Sequence, residues 1–402
     1  MRATEVLQKC LGGALEAVHS LRQHVLLRAV EAVVVGRRLT LFDIARSWPG
    51  AERIRAPLKA LDRLLSSPHM HAEREQIYAG MARWLVRSKQ PVIAIDWSDL
   101  KADRSWHLLR AAIPVGGRTM PILDMVFPAG QQGSPKAQRL FLERLGHILP
   151  PDACPVLVTD AGFCGPWFRA VEAKGWHWLG RLRHRTHVKP VDAEDRDDQW
   201  VSCKAMYELA NAHPRDLGLM HAIRNHPVTC RMVLHAKPPR GRKHRNRRHV
   251  PVRSSQSRQQ ARRESEPWLL MASPELSTLS ARRIVTLYER RMQIELSFRD
   301  LKSHRYGQGF EDSLTYKGKR IDVLLLLSAL AIFASWLVGM ACEVAGMGDW
   351  LAPRRSTRCL YSVLRLGLEA IVRRWAHIPL PALIDQLRKP SPALLDQVCA
   401  CT

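Results

Sequence analysis

At Pro91 the hydrophobic period of the chain changes, and that change constrains the fold more than any other feature. Before it, Thr40–Arg46 and Leu58–Leu65 place apolar residues at helical spacing, and residues 1–88 read as all-helical. Trp48-Pro49-Gly50 lies between those segments as a turn signal. After Pro91, Val92-Ile93-Ala94-Ile95 is a continuous apolar run of the kind a buried strand needs, and it runs into Asp96. Trp106–Val115 and Thr119–Phe127 read as strands joined by a Gly116-Gly117 hairpin turn. Gly130–Ser134 is a loop. Lys136–Ile148 is an amphipathic helix with Leu140, Phe141, Leu145 and Ile148 inward. Pro155–Thr159 is a second buried run, ending in Asp160; a short helix, Trp167–Lys174, and a strand, Trp176–Leu182, follow.

The order β-β-β-α-β-α-β, with a hairpin start and later parallel crossovers, predicts an α/β (α+β) chain with a ribonuclease-H-like core. From 183 to 270 the alternation is lost. This stretch reads as a β-rich insertion, with Val228–Leu234 strand-like and a basic run from Lys237 to Arg263 that contains no acidic residue. Such a run has little to bury, and its single sign suits phosphate contact. Pro267–Ala272 returns as a strand, and one long helix is expected from Ser280 to Ser303. The core therefore divides as 89–182 and 271–319. A helical C-terminal region, 320–402, is broken at Gly346-Met347-Gly348 and Pro353 and is a candidate for dimerisation. Val323–Ala341 is nearly all apolar and borderline for a membrane span. With no second span following it, a buried core helix is the better reading.

Charge narrows the partner. Lys and Arg number 62 against 37 Asp and Glu, a formal net charge of +25. An excess of this size repels itself unless a polyanion neutralises it, and nucleic acid is the common one. The helical pair around Trp48-Pro49-Gly50, with Arg53, Arg55, Lys59 and Arg63 nearby, has the outline of a helix-turn-helix reader. The nine cysteines are scattered without a C-x-x-C pair, which argues against a zinc ribbon or a disulfide framework and fits a reducing cytoplasm.

The residues that carry chemistry are acidic. Asp96 and Asp160 each follow a buried-strand run, where a side chain emerges at a sheet edge. A lone strand-end aspartate is more often a turn residue or a helix cap; two on neighbouring strands are less easily dismissed. Asp99 competes with Asp96 but lies beyond the apolar run. On the expected long helix, Tyr288, Arg291, Glu295 and Lys302 fall within roughly 60° of one another, beside an apolar stripe of Leu287, Ile294, Phe298 and Leu301. Glu295 can then join the two aspartates. Three converging carboxylates need cations, and hard divalent ions, Mg²⁺ or Mn²⁺, suit oxygen donors. Two such ions activate a nucleophile and stabilise a leaving oxygen. Arg291, Lys302 and Tyr288 would hold phosphates. The bland alternative is a surface helix with ordinary ion pairs.

Tyr288-x₂-Arg291-x₃-Glu295-x₆-Lys302 resembles the Y-R-E-K signature of bacterial insertion-sequence DDE transposases of the insertion-sequence-four family, closest to the insertion-sequence-ten type. Asp96 in Ile95-Asp96-Trp97-Ser98-Asp99 and Asp160 in Thr159-Asp160-Ala161-Gly162-Phe163 are similar to that family's aspartate motifs. The resemblance implies a ribonuclease-H-like fold with a β-rich insertion and a metal-dependent endonuclease and strand-transferase. It also implies cut-and-paste transposition through a hairpin intermediate, by a cytoplasmic, nucleoid-associated homodimer acting on terminal inverted repeats and target DNA, without a membrane. In relatives a tryptophan of the insertion stacks on a flipped base. Trp268 stands at a suitable distance before Tyr288 for that role, and equally reads as a strand-core tryptophan. Two alternatives remain open: a nuclease on the same fold that does not join strands, and an inert descendant that only binds DNA.

Overall fold

The computed structural model describes residues 2–183, 186–192, 199–237, 255, 266–351 and 361–375. In chain order the elements are α1 (Ala3–Leu15), α2 (Ser20–Gly36), α3 (Leu41–Arg46), α4 (Arg55–Ser66), α5 (Pro68–Leu85), β1 (Val92–Asp99), β2 (Trp106–Pro114), β3 (Thr119–Pro128), α6 (Pro135–Ile148), β4 (Val156–Val158) and α7 (Gly165–Glu172). There follow β5 (His177–Leu182), β6 (His187–Pro190), β7 (Val201–Ser202), β8 (Arg215–Ala222), β9 (Val228–His235), β10 (Trp268–Ala272), α8 (Ala281–Arg291), α9 (Gln293–Lys302), α10 (Gly318–Val344) and α11 (Val363–Val372). Helices at both ends of the chain and strands between them make a mixed α/β fold of the ribonuclease-H-like kind. Most of the basic run from Lys237 to Arg263, and Pro353, lie outside the described residues.

The chain divides into two compact units. The first comprises the described residues up to 153 and from 292 onward. Its helices start where local chemistry satisfies their free N–H groups. The Thr40 hydroxyl accepts from Asp43 N at 3.1 Å, Ser67 from Met70 N at 3.2 Å and Ser134 from Ala137 N at 3.2 Å. Proline follows both serines, its fixed φ suited to the first helical turn. β1, β2 and β3 form an antiparallel meander. Gly116 and Gly117 turn the second hairpin at φ 79° and 81°, a conformation that a two-residue primed turn demands and glycine supplies. α6 buries Phe141, Leu142, Leu145 and Ile148, whereas Leu140 is 38% exposed and does not face the core as expected. Leu142 takes its place because it lies one helical turn from both Gln138 and Leu145 on the buried stripe.

α10 is the apolar segment that passes for a membrane span by length and composition, and 94% of its most apolar window is buried. It is apolar all round because neighbours surround it: α1, α2, α4, α5, α11 and β3 all pack on it. It crosses α11 at glycines. A Cβ on Gly367 would stand 1.8 Å from the Ser335 carbonyl oxygen, and one on Gly339 would stand 1.9 Å from that of Val363.

The second unit comprises the described residues of 154–291. β4 and β5 are parallel, joined by α7, and β5 continues through antiparallel neighbours in the order β10, β9, β8, β6, β7. Phe168 of α7 packs on Trp178 of β5 with ring centroids 4.4 Å apart. Arg231 of β9 ties the sheet to the turn before α8, donating to Asp216 and, at 2.8 Å, to the Leu276 carbonyl. α8 packs on β4, β5 and β9. The helix expected over Ser280–Ser303 is instead two helices, divided at Met292, whose backbone keeps right-handed helical angles (φ −58°, ψ −18°) with the shallow ψ of a 3₁₀-like turn.

The close crossing yields a stability test. Gly367→Ala should force α10 and α11 apart and cost about 1–3 kcal/mol, lowering the thermal midpoint. Gly348→Ala, whose new Cβ meets nothing within 4 Å, should leave it unchanged. Equal midpoints for both variants would contradict the close contact.

Candidate active site

β1 runs to Asp99 and does not stop before Asp96, because Trp97 and Ser98 continue the ladder opposite Leu109 and Leu108. Asp96 is thus a strand residue and not the strand's terminus. Strand alternation then separates the two competing aspartates. Asp96 and Ser98 point to one face of β1, Trp97 and Asp99 to the other. Asp99 is engaged there, 2.9 Å from His107 Nδ1 and 3.4 Å from Arg104 Nε. Asp96 lies opposite Arg110, which lies opposite Asp124, so these three side chains share one face across β1, β2 and β3.

That face is the one α9 covers. Arg110 and Asp124 are both fully buried, joined by two bonds of 2.7 Å from Nε and Nη2. Arg110 Nη1 reaches Ser297 Oγ of α9 at 3.4 Å, and its guanidinium lies 5.3 Å from the centre of the Phe298 ring. Thr119 of β3 donates to the same hydroxyl at 3.0 Å, and Ser297 passes its own proton to the Ile294 carbonyl at 2.8 Å. Ile294, Phe298 and Leu301 are buried by this docking. Glu295, off that stripe, is exposed on α9, and Asp96 is half-buried beneath the same helix. Lys302, at the end of α9, donates to Ser98 Oγ at 3.1 Å and to the Asp99 carbonyl at 3.2 Å. The first unit therefore brings Asp96, Glu295 and Lys302 onto one strand and the helix above it.

The second unit gathers the other expected residues. Asp160 follows β4, and its Oδ1 accepts Gly162 N at 2.8 Å. A Cβ at Gly162 would stand 3.0 Å from that oxygen, so glycine leaves the carboxylate open on this side. Tyr288 on α8 is buried, and burial pushes its phenol pKa up; Arg291 and Arg181 oppose that shift and Asp160 adds to it. The Arg291 guanidinium lies 5.7 Å from the Tyr288 ring centre. Burial lowers the pKa of Arg181 from its usual value. Trp268 of β10 is 6% exposed, edge-on to Tyr288 with centroids 4.9 Å apart, and Lys237 Nζ covers its ring at 4.4 Å. Lys237 is in turn 3.4 Å from Glu289. In this structure Trp268 is thus a strand-core residue capped by a cation.

A family model for the transposase DDE domain matches residues 87–333. The chain belongs to the DDE transposase family. No curated protein matches it. The matched range runs from just after α5 into α10 and takes in the ten strands of the described residues, both aspartates, Glu295 and Lys302. The family acts on DNA as transposases and generally uses divalent metal ions.

Neither unit by itself, among its described residues, gathers three His, Cys, Asp or Glu side chains around one point. The donors fit a hard cation in kind: carboxylates only, with Asp160 left open by Gly162. Arg110, Asp124, Ser297 and Arg181 were not picked out from sequence, and Lys237 was read only as the start of the basic run. The available signal was a charge inside each of two facing apolar strands, Arg110 within Leu108–Ile113 and Asp124 within Ile122–Val126.

The buried pair can be tested directly. Removing one partner strands the other charge, so Arg110→Met or Asp124→Asn should each cost on the order of 3–5 kcal/mol in urea unfolding. Arg110→Met combined with Asp124→Leu should recover much of that loss. Single variants as stable as the wild type would contradict the burial of the pair.

Proposed function

We propose that the protein is a cut-and-paste DNA transposase of the insertion-sequence-four family, insertion-sequence-ten type, with Tyr288, Arg291, Glu295 and Lys302 as its Y-R-E-K signature. In this reading Asp96, Asp160 and Glu295 are the catalytic and metal-holding set for two Mg²⁺ or Mn²⁺ ions. The observation that carries the reading is the register of β1: it sets Asp96, and not Asp99, on the face covered by the helix that bears Glu295.

When bound, the ions would supply Lewis-acid activation of the attacking oxygen and stabilisation of the leaving one. The chain supplies placement. Ser297 and Arg110 hold α9 so that Glu295 stays beside β1. Lys302 fixes the far end of α9 to Ser98 and Asp99, and its ammonium is close enough to this edge to exchange those partners for a phosphate. Arg291 and Tyr288 offer donors to phosphate oxygens, with Arg181 behind them adding positive charge. The attacking group is first water, which nicks an element end, and then the freed 3′-hydroxyl, which forms a hairpin on that end. Water reopens the hairpin, and the 3′-hydroxyl finally joins to target DNA. Trp268 is the stacking platform for a base flipped out during hairpin formation, and Lys237 must leave its ring for the base to enter. The α3–α4 pair reads the terminal inverted repeats, residues 320–402 contribute to a homodimer on paired ends, and the protein works in the cytoplasm on the nucleoid.

The deciding assay incubates the purified protein with DNA spanning the gene's own flanks, with and without Mg²⁺, and maps products on a denaturing gel. Wild type should cut at the element boundary only with metal and give hairpin ends. Asp96→Asn and Glu295→Gln should bind those ends as wild type does and cut at least 10²-fold more slowly. Normal cutting by either variant would refute the site assignment. Nicks without hairpins or joined products would leave a nuclease rather than a transposase.

A further inference from the structure

Away from these residues, the first unit carries a polar cleft of about 700 Å³ between α1, α2, the Ser47–Gly50 turn and the end of α11. Its lining includes Arg2, Arg28 and Arg374, with His24 and Gln23 beside them and Glu31 as the acidic member. Glu31 is buried, and its Oε2 accepts Thr4 N at 3.1 Å, so that carboxylate also serves the first turn of α1. Among the described residues no ion pair joins Arg2, Arg28 or Arg374 to a carboxylate. Arg28 Nη2 donates to the Pro49 carbonyl, while its Nε–H is buried without an acceptor.

Guanidinium groups sharing a cleft repel one another unless an anion sits among them, and a buried N–H without an acceptor carries a desolvation penalty. A tetrahedral oxyanion relieves that repulsion, since phosphate accepts from forked guanidinium donors in pairs. The volume is that of a small-ligand site and has room for a phosphate with its sugar.

We propose that this cleft is a phosphate-binding site, and that the phosphate belongs to the backbone of DNA lying along the turn between α3 and α4. Arg28 couples the two: the side chain that lines the cleft also holds the Pro49 carbonyl of that turn. A phosphate here would fix the turn while α3 and α4 engage the duplex. The choice of DNA as the source rests on the DNA-binding reading above; the phosphate chemistry does not.

The test uses the full chain and the variants Arg374→Gln and Arg28→Gln. Thermal melting is followed in pyrophosphate against sodium chloride at equal ionic strength. Separately, binding to an element-end duplex is measured across salt concentrations. Pyrophosphate should raise the wild-type midpoint by about 2–4 °C and leave Arg374→Gln nearly unmoved. The slope of log affinity against log salt should fall by about one for each lost phosphate contact. Should Arg28→Gln fail to fold, Arg374→Gln carries the test alone. Protection lost in the variant with an unchanged slope would support the site and assign it to a small phosphate ester. Protection by pyrophosphate in a chain that binds no duplex would refute the DNA reading while upholding the cleft. A variant that matches wild type in both measurements would overturn the proposal.

Discussion

Arg110 and Asp124 face each other from adjacent strands with no exposed surface at either side chain. Taking both charges out of water is costly, and their attraction offsets that cost only when the geometry is good and the remaining donors are used. Here two guanidinium nitrogens go to the carboxylate and a third to Ser297. That third bond links the sheet to α9, so the pair fixes more than β2 and β3. It sets which helix face meets the sheet, hence where Glu295 stands, and it lies next to Asp96 across the β1–β2 ladder. A leucine pair would fill the same space but would accept several rotations of α9; a forked donor accepts few.

The second unit relies on a different arrangement. Tyr288, Trp268, His235 and Lys237 stack ring against ring and cation against ring, with Arg291 and Arg181 around them. Such contacts are weaker and less directional than a buried ion pair. The polar residues expected along one helix thus sit in unlike surroundings: Tyr288 and Arg291 in a buried aromatic cluster, Glu295 and Lys302 on a helix pinned to its sheet.

Much of this was legible in the sequence because period and turn chemistry agreed. The shift at Pro91, the Gly116-Gly117 turn and the apolar runs before Asp96 and Asp160 each specify local backbone, and the strands lie where those signals put them. The Arg110–Asp124 pairing was not legible. Counting outward from the Gly116-Gly117 turn pairs Pro114 with Thr119 and would set Arg110 against Leu123; a bulge between Ala111 and Ala112 shifts the register by one and brings Asp124 opposite instead. No residue type announces that bulge. Likewise, the helical stripe showed that Tyr288 and Glu295 could align, but not that the helix breaks at Met292 or that Lys237 covers Trp268, since both depend on contacts distant in sequence.

The burial of α10 has a consequence for how the chain emerges from the ribosome. This helix passes for a membrane span by length and composition alone. Its partners α1, α2, α4, α5 and β3 are all encoded upstream. When Gly318–Val344 leaves the exit tunnel, these upstream surfaces have already been synthesised, whereas α11 and the Met347–Asp349 turn arrive later. Vectorial synthesis therefore offers this apolar helix most of its burial partners at the moment it emerges.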